Sequence, residues 1–249
     1  MHIEDISYDI DGAEHIGHLA VDRERSGTRP AVLVCHEGPG LSTLAKAVAE
    51  RLAGLGYIAF ALDYHGGGQP LPRDEMMGRL VTLMGDPERI RTLASAGLSV
   101  LLAQPEADPG RVAAIGYCFG GTMALELARS GADVHAVVGF HSGLATARPN
   151  DAVNIRGSVL VHIGAEDPLI PQQQRTDFEA EMRGGGVDWR MALYGGAKHS
   201  FTNPDAAAAG MPGIEYHAPS DRRSWQGMID LFDETFGQLN NSRSLTVCR

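Results

Sequence analysis

Cys118 sits in a glycine-flanked run, Gly116-Tyr117-Cys118-Phe119-Gly120-Gly121, and is the residue best placed to do chemistry in this chain. Apolar, strand-forming Ala113-Ala114-Ile115 precede the run, and small, helix-compatible Thr122-Met123-Ala124 follow it. A strand that turns sharply into a helix holds the residue at the turn on a strained backbone. The positions on either side must then be small, and Gly116 and Gly120 meet that requirement. The same geometry sets the sulfur at a helix N-terminus. There the dipole and unpaired N–H groups favour a thiolate and, later, an oxyanion. A Gly-x-Cys-x-Gly run alone is also compatible with an ordinary buried cysteine, so its partners decide the matter.

A cysteine nucleophile needs a base, and the base needs a group to orient it. In the strand–turn–helix arrangement the acid and then the histidine follow the nucleophile in chain order, each just past a strand. Asp167 lies past the apolar run Val159-Leu160-Val161-His162-Ile163, in Gly164-Ala165-Glu166-Asp167-Pro168. Its neighbour Glu166 is a competing carboxylate, and the sequence favours Asp167. His199 follows the last strand-like run in the glycine-rich stretch Tyr194-Gly195-Gly196-Ala197-Lys198-His199. Cysteine, aspartate and histidine therefore form the candidate triad.

A second loop, Cys35-His36-Glu37-Gly38-Pro39-Gly40, follows an apolar strand and can approach a substrate closely. The backbone N–H groups of Phe119 and Gly38 are the expected oxyanion donors. Glu37 would stand beside the sulfur, where a carboxylate keeps the thiol neutral or accepts its proton. His36, His65, His141 and His162 fall on different strands and loops without metal-ligand spacing, so no metal is expected. The Gly66-Gly67-Gly68 and Gly184-Gly185-Gly186 runs match no phosphate-binding pattern and read as turns.

Strand-like and helix-like segments alternate nearly throughout. Strands are expected at 31–35, 57–62, 111–115, 134–140, 158–163 and 187–193, and helices at 42–55, 87–103, 171–182 and 221–236. The long connection 64–86 includes a short helix, and residues 3–21 read as an antiparallel hairpin at the sheet edge. Near-continuous apolar strands between helices indicate a mostly parallel central sheet with helices on both faces. One α/β domain spanning 1–249 is expected, with a core over about 30–236 and a polar tail at 238–249.

Composition narrows the function classes. The chain has 249 residues, is 43% hydrophobic and carries a formal net charge of −10. No basic cluster exceeds Arg222-Arg223, which argues against nucleic acid as a partner. The acidic start and the lack of a long apolar run indicate a cytoplasmic protein with no membrane partner. Three cysteines without a CxxC pair indicate reduced thiols.

The triad motifs, Ala197-Lys198-His199-Ser200-Phe201, Glu37 and the order of elements together resemble the dienelactone hydrolase family, over about 30–236. The resemblance implies the α/β-hydrolase fold with an eight-stranded sheet, and a cofactor-free carboxylic ester or lactone hydrolase acting through a thioester. It also implies that Glu37 pairs with Cys118 at rest and that a small-molecule ester or lactone binding frees the thiolate. Members acting on dienelactones hold the substrate carboxylate with arginines, one shortly after the catalytic histidine. Here Thr202-Asn203-Pro204 follow instead. Tyr64, Arg73, Arg79, Arg222 and Arg223 are the candidate substrate-binding replacements, and the long segment 204–220 is expected to cover or reshape the pocket. Two alternatives are a broad carboxylesterase or thioesterase, and a non-hydrolytic ligand-binding or thiol-sensing protein on the same scaffold.

Overall fold

The computed structural model describes residues 1–239. Eight strands form one sheet: β1 (His2–Ile10), β2 (Ala13–Val21), β3 (Arg29–Cys35), β4 (Ile58–Leu62), β5 (Ala107–Tyr117), β6 (Ala136–Phe140), β7 (Ser158–Gly164) and β8 (Trp189–Tyr194). Their spatial order is β1-β2-β4-β3-β5-β6-β7-β8. The first two form an antiparallel edge hairpin, and β2 pairs antiparallel with β4. From β4 to β8 every pairing is parallel, and β5, which leads into Cys118, lies between β3 and β6.

Six helices cover the sheet: α1 (Thr43–Leu55), α2 (Arg73–Met84), α3 (Pro87–Leu102), α4 (Phe119–Arg129), α5 (Gln172–Gly184) and α6 (Ala218–Phe236). Every residue of β3 is buried, because both faces of that strand are covered. Leu33 and Cys35 face the core shared with α3, α4 and α5. Val32 and Val34 face the core shared with α1 and α6. This period-2 alternation between two apolar layers is what a continuous apolar run in a doubly covered sheet requires.

The elements match the expected alternation, with informative departures. Asp108-Pro109-Gly110, a turn signal in the sequence just ahead of the strand expected at 111–115, lies instead inside β5. Pairing jumps from Pro30↔Asp108 to Ala31↔Val112, so Pro109, Gly110 and Arg111 bulge out of register. The connection after β4 contains α2 as a full 12-residue helix rather than a short one. The last helix starts at Ala218, three residues before the expected boundary, with proline in its first turn. Of the expected polar tail, residues 240–249 lie outside the described residues. Among the described residues, no helix is long and apolar enough to cross a membrane.

Candidate active site

Cys118 occupies the turn between β5 and α4 with φ 54° and ψ −122°, a conformation that an L-residue adopts only under local constraint. The constraint is visible in its neighbours. A Cβ at Gly116 would lie 2.0 Å from the carbonyl oxygen of Gly120, and a Cβ at Gly120 would lie 2.2 Å from that of Cys35. Both glycines are therefore required by close backbone approach rather than by their own dihedrals. The Cys118 N–H donates to the Phe140 carbonyl at 3.0 Å, tying the turn to β6.

The three candidate side chains meet at this edge of the sheet. His199 Nε2 lies 3.1 Å from Cys118 Sγ. On the other side of the ring, Nδ1 donates to the Asp167 carboxylate at 2.8 Å. The second Asp167 oxygen accepts the Leu169 N–H at 2.8 Å, which fixes the carboxylate plane. Glu166 instead accepts the Gly196 N–H at the surface, so it is Asp167 that reaches the imidazole. Burial disfavours the charged imidazole of His199. The opposing charge at Cys118 and the bonds to Asp167 and Cys118 outweigh it and hold His199 up to about 10.

The segment 204–220 does not line the cavity beside Cys118, contrary to the expectation that it would cover the pocket. It braces the histidine from behind. The His199 N–H donates to the Gly213 carbonyl at 3.0 Å, and the Glu215 N–H donates to the His199 carbonyl at 3.0 Å. Beside the imidazole lies His141, fully buried at φ 41°, its ring centroid 5.2 Å away in an edge-on arrangement. His141 shares a hydrogen bond of 2.9 Å with the Thr202 hydroxyl, and burial, then the charge of His199, hold it well below the usual histidine range. Sequence reasoning assigned His141 no role. Its place directly after β6, at the edge where the other strands end, was the available signal.

The oxyanion candidates are both unencumbered. Phe119 opens α4, where an N–H has no intrahelical acceptor. The Gly38 N–H has no hydrogen-bond partner among the described residues. Glu37 departs from the expected pairing with Cys118. Its Oε2 accepts from Asn203 Nδ2 at 3.0 Å, while Oε1 is buried without a partner. Burial pushes the Glu37 carboxyl up, and Asn203, His199 and Ser200 pull it partly back. The amide four residues after the histidine thus captures the carboxylate, leaving the sulfur to His199.

A cavity of about 500 Å³ opens onto Cys118, Phe119 and His199. Its walls are apolar, formed chiefly by Met77, Leu80 and Met84 of α2, Ile90 of α3, and Leu169 and Ile170. Besides Cys118 and His199, the one ionisable side chain lining it is Glu126. That carboxylate is already paired with Arg91 and Arg129. None of the candidate substrate-binding residues lines this cavity. Arg73, Arg222 and Arg223 are solvent-exposed on α2 and α6, where hydration favours a guanidinium without a buried partner. Arg79 hydrogen-bonds the His65 carbonyl. Tyr64 is buried beneath the oxyanion loop and donates its hydroxyl to the Glu37 carbonyl at 2.9 Å.

Comparison with known proteins agrees with this architecture. The model of the dienelactone hydrolase family matches residues 17–236. A solved structure named m3DLH is 46% identical, with a TM-score of 0.91, covering 94% of this chain and 98% of that one. A dienelactone hydrolase-like promiscuous phosphotriesterase from metagenomic libraries is 42% identical, with a TM-score of 0.90 and coverages of 94% and 98%. A Bradyrhizobium protein named "Probable 2-oxo-3-(5-oxofuran-2-ylidene)propanoate lactonase" is 29% identical over 187 residues, 71% of this chain and 75% of its own. With a family match across nearly the whole sheet, the chain belongs to the dienelactone hydrolase family and is an ester hydrolase of the α/β-hydrolase fold.

Proposed function

We propose that this enzyme hydrolyses neutral, apolar carboxylic esters and lactones through a thioester on Cys118. The observation that carries the reading is a sulfur 3.1 Å from an imidazole that is itself bonded to a buried aspartate, opening onto an apolar cavity. The thiolate of Cys118 attacks the carbonyl carbon, forming the C–S bond, and the N–H groups of Phe119 and Gly38 receive the oxyanion. Collapse breaks the C–O bond, and the departing alkoxide takes the proton from the His199 imidazolium. His199 is then neutral and removes a proton from the water that attacks the thioester. Breaking the C–S bond releases the acid and restores the ion pair.

The charge on the sulfur helps hold His199 as imidazolium, and acylation removes that charge. The same residue thereby acts as acid in the first half-reaction and as base in the second.

The walls support a neutral substrate. A substrate carboxylate in this cavity would meet the Glu126 carboxylate and no unpaired cation. We expect 4-nitrophenyl butyrate to exceed 4-nitrophenyl hemisuccinate in kcat/KM by about 10-fold or more, and Cys118→Ala to lose both activities. Equal or better turnover of the hemisuccinate would refute the neutral-substrate reading. A second reading rests on the same uncharged cavity and on the similarity to the promiscuous phosphotriesterase. Neutral aryl phosphotriesters fit the chemistry, with sulfur attacking phosphorus and an aryloxide leaving.

A further inference from the structure

Behind the oxyanion loop lies a buried polar cluster that the reaction steps above leave unused. The carbonyl oxygen of Glu37 accepts three hydrogen bonds, from His36 Nδ1 at 2.7 Å, from the Tyr64 hydroxyl at 2.9 Å and from the Gly40 N–H at 3.2 Å. The His36 and Tyr64 rings stack with centroids 3.8 Å apart and an interplanar angle of 19°. The Tyr64 N–H approaches His36 Nε2 at 3.4 Å, so Nε2 accepts and Nδ1 carries the proton. Burial holds His36 down to about 3, which keeps this neutral tautomer in place across the working pH range. The next carbonyl, that of Gly38, accepts from His65 Nε2 at 2.8 Å.

The consequence follows from peptide geometry. The Glu37 carbonyl and the Gly38 N–H belong to one planar trans peptide and point in opposite directions. Donors from His36, Tyr64 and the Gly40 backbone, all anchoring the oxygen, therefore fix the N–H on the opposite side, where it has no partner among the described residues. Hydrogen bonds to the carbonyl also polarise the peptide and strengthen its N–H as a donor. We propose that Tyr64 and His36 are positioning residues that aim and polarise the Gly38 N–H for the oxyanion. Neither touches the reacting atoms; both act through one peptide unit. This inference rests on the acyl-transfer reading above.

Two reactions of the same sulfur separate the role from a structural one. Acylation by 4-nitrophenyl acetate passes through an oxyanion, whereas alkylation by iodoacetamide displaces iodide and forms none. Losing an oxyanion donor outright costs about 10²–10³ in rate, so losing one of the two side-chain bonds that anchor its peptide, in Tyr64→Phe, should slow acylation about 10-fold. Alkylation of Cys118 should stay within about twofold of wild type, because the sulfur and His199 are untouched. His36→Phe keeps the ring stack, deletes the other side-chain donor and carries the same expectation should Tyr64→Phe fail to fold. Acylation at the wild-type rate in these variants would overturn the inference, as would equal losses in both reactions. Absence of acyl transfer to Cys118 in the wild type would instead overturn the reading beneath it.

Discussion

His199 meets two neighbours of different kinds: the Asp167 carboxylate at Nδ1 and the Cys118 sulfur at Nε2. Cys118 is the leading cause that raises His199 against the opposing effect of burial. Cys118→Ser, which has no thiolate to offer, should therefore lower the His199 titration midpoint from about 10 towards the ordinary histidine range. The sign follows because removing a negative partner destabilises the charged form. Imidazole resonances followed against pH would measure it, and an unmoved midpoint would assign the shift to Asp167 alone. At this scale the convergence of Cys118, Asp167 and His199 was legible because each lies just past an apolar strand, a one-dimensional signal of a shared sheet edge. Substrate contacts were not. Whether Arg73, Arg222 or Arg223 faces a cavity depends on helix rotation and packing, which residue type and spacing do not encode. Tyr64, read from the sequence as a substrate-binding residue, is instead buried outside the cavity and donates its hydroxyl to the Glu37 carbonyl.

Elements set these residues to tenths of an ångström. The turn from β5 into α4 works because backbone from three segments converges where Gly116 and Gly120 carry no side chain. In Gly120→Ala the new methyl would sit 2.2 Å from the Cys35 carbonyl oxygen, in contact with rigid strand backbone rather than a flexible side chain. We expect a loss of about 3 kcal/mol in urea-induced unfolding and near-complete loss of activity. A variant of wild-type stability would show that α4 and β3 can separate without cost. The glycines were readable from their pattern. The full length of α2 was not, since only Leu83 among its residues is buried, while Met77, Leu80 and Met84 line the cavity, Met76 is half-buried and Val81 faces solvent. A helix held by so little core leaves a faint amphipathic signal. The bulge at 109–111 was read as a turn for a related reason: Asp-Pro-Gly signals a chain deviation without saying whether pairing resumes.

Across the whole molecule, helices α3, α4 and α5 are joined to the cavity wall by a buried ionic network. Arg129 is fully buried at the end of α4. It bonds Glu126 on its own helix, both oxygens of Glu181 on α5, and the carbonyl of Leu144 after β6. Arg91 of α3 joins the same Glu126 and Asp151. Arg129→Leu leaves buried carboxylates without their cation and should cost about 3–5 kcal/mol near neutral pH. Burial already raises Glu181, and removing Arg129 raises it further. A raised carboxyl contributes stability at pH below its unfolded value and loses it as pH rises, so the deficit should shrink towards pH 5. Unfolding curves at two pH values test this, and a pH-independent deficit would contradict it. Charged residues are mostly exposed in proteins, and residue type alone carries no sign that Glu126 and Arg129 are buried. That nearly all of α4 is buried emerges only when β6 and α5 close over it.

The central claim is covalent: the acyl group passes through sulfur. Intact-mass spectrometry of the enzyme quenched during turnover of 4-nitrophenyl acetate should find one added acetyl group, located by peptide mapping to Cys118 and absent from Cys118→Ala. Turnover with no adduct at any quench time, or an adduct that persists in Cys118→Ala, would contradict the account.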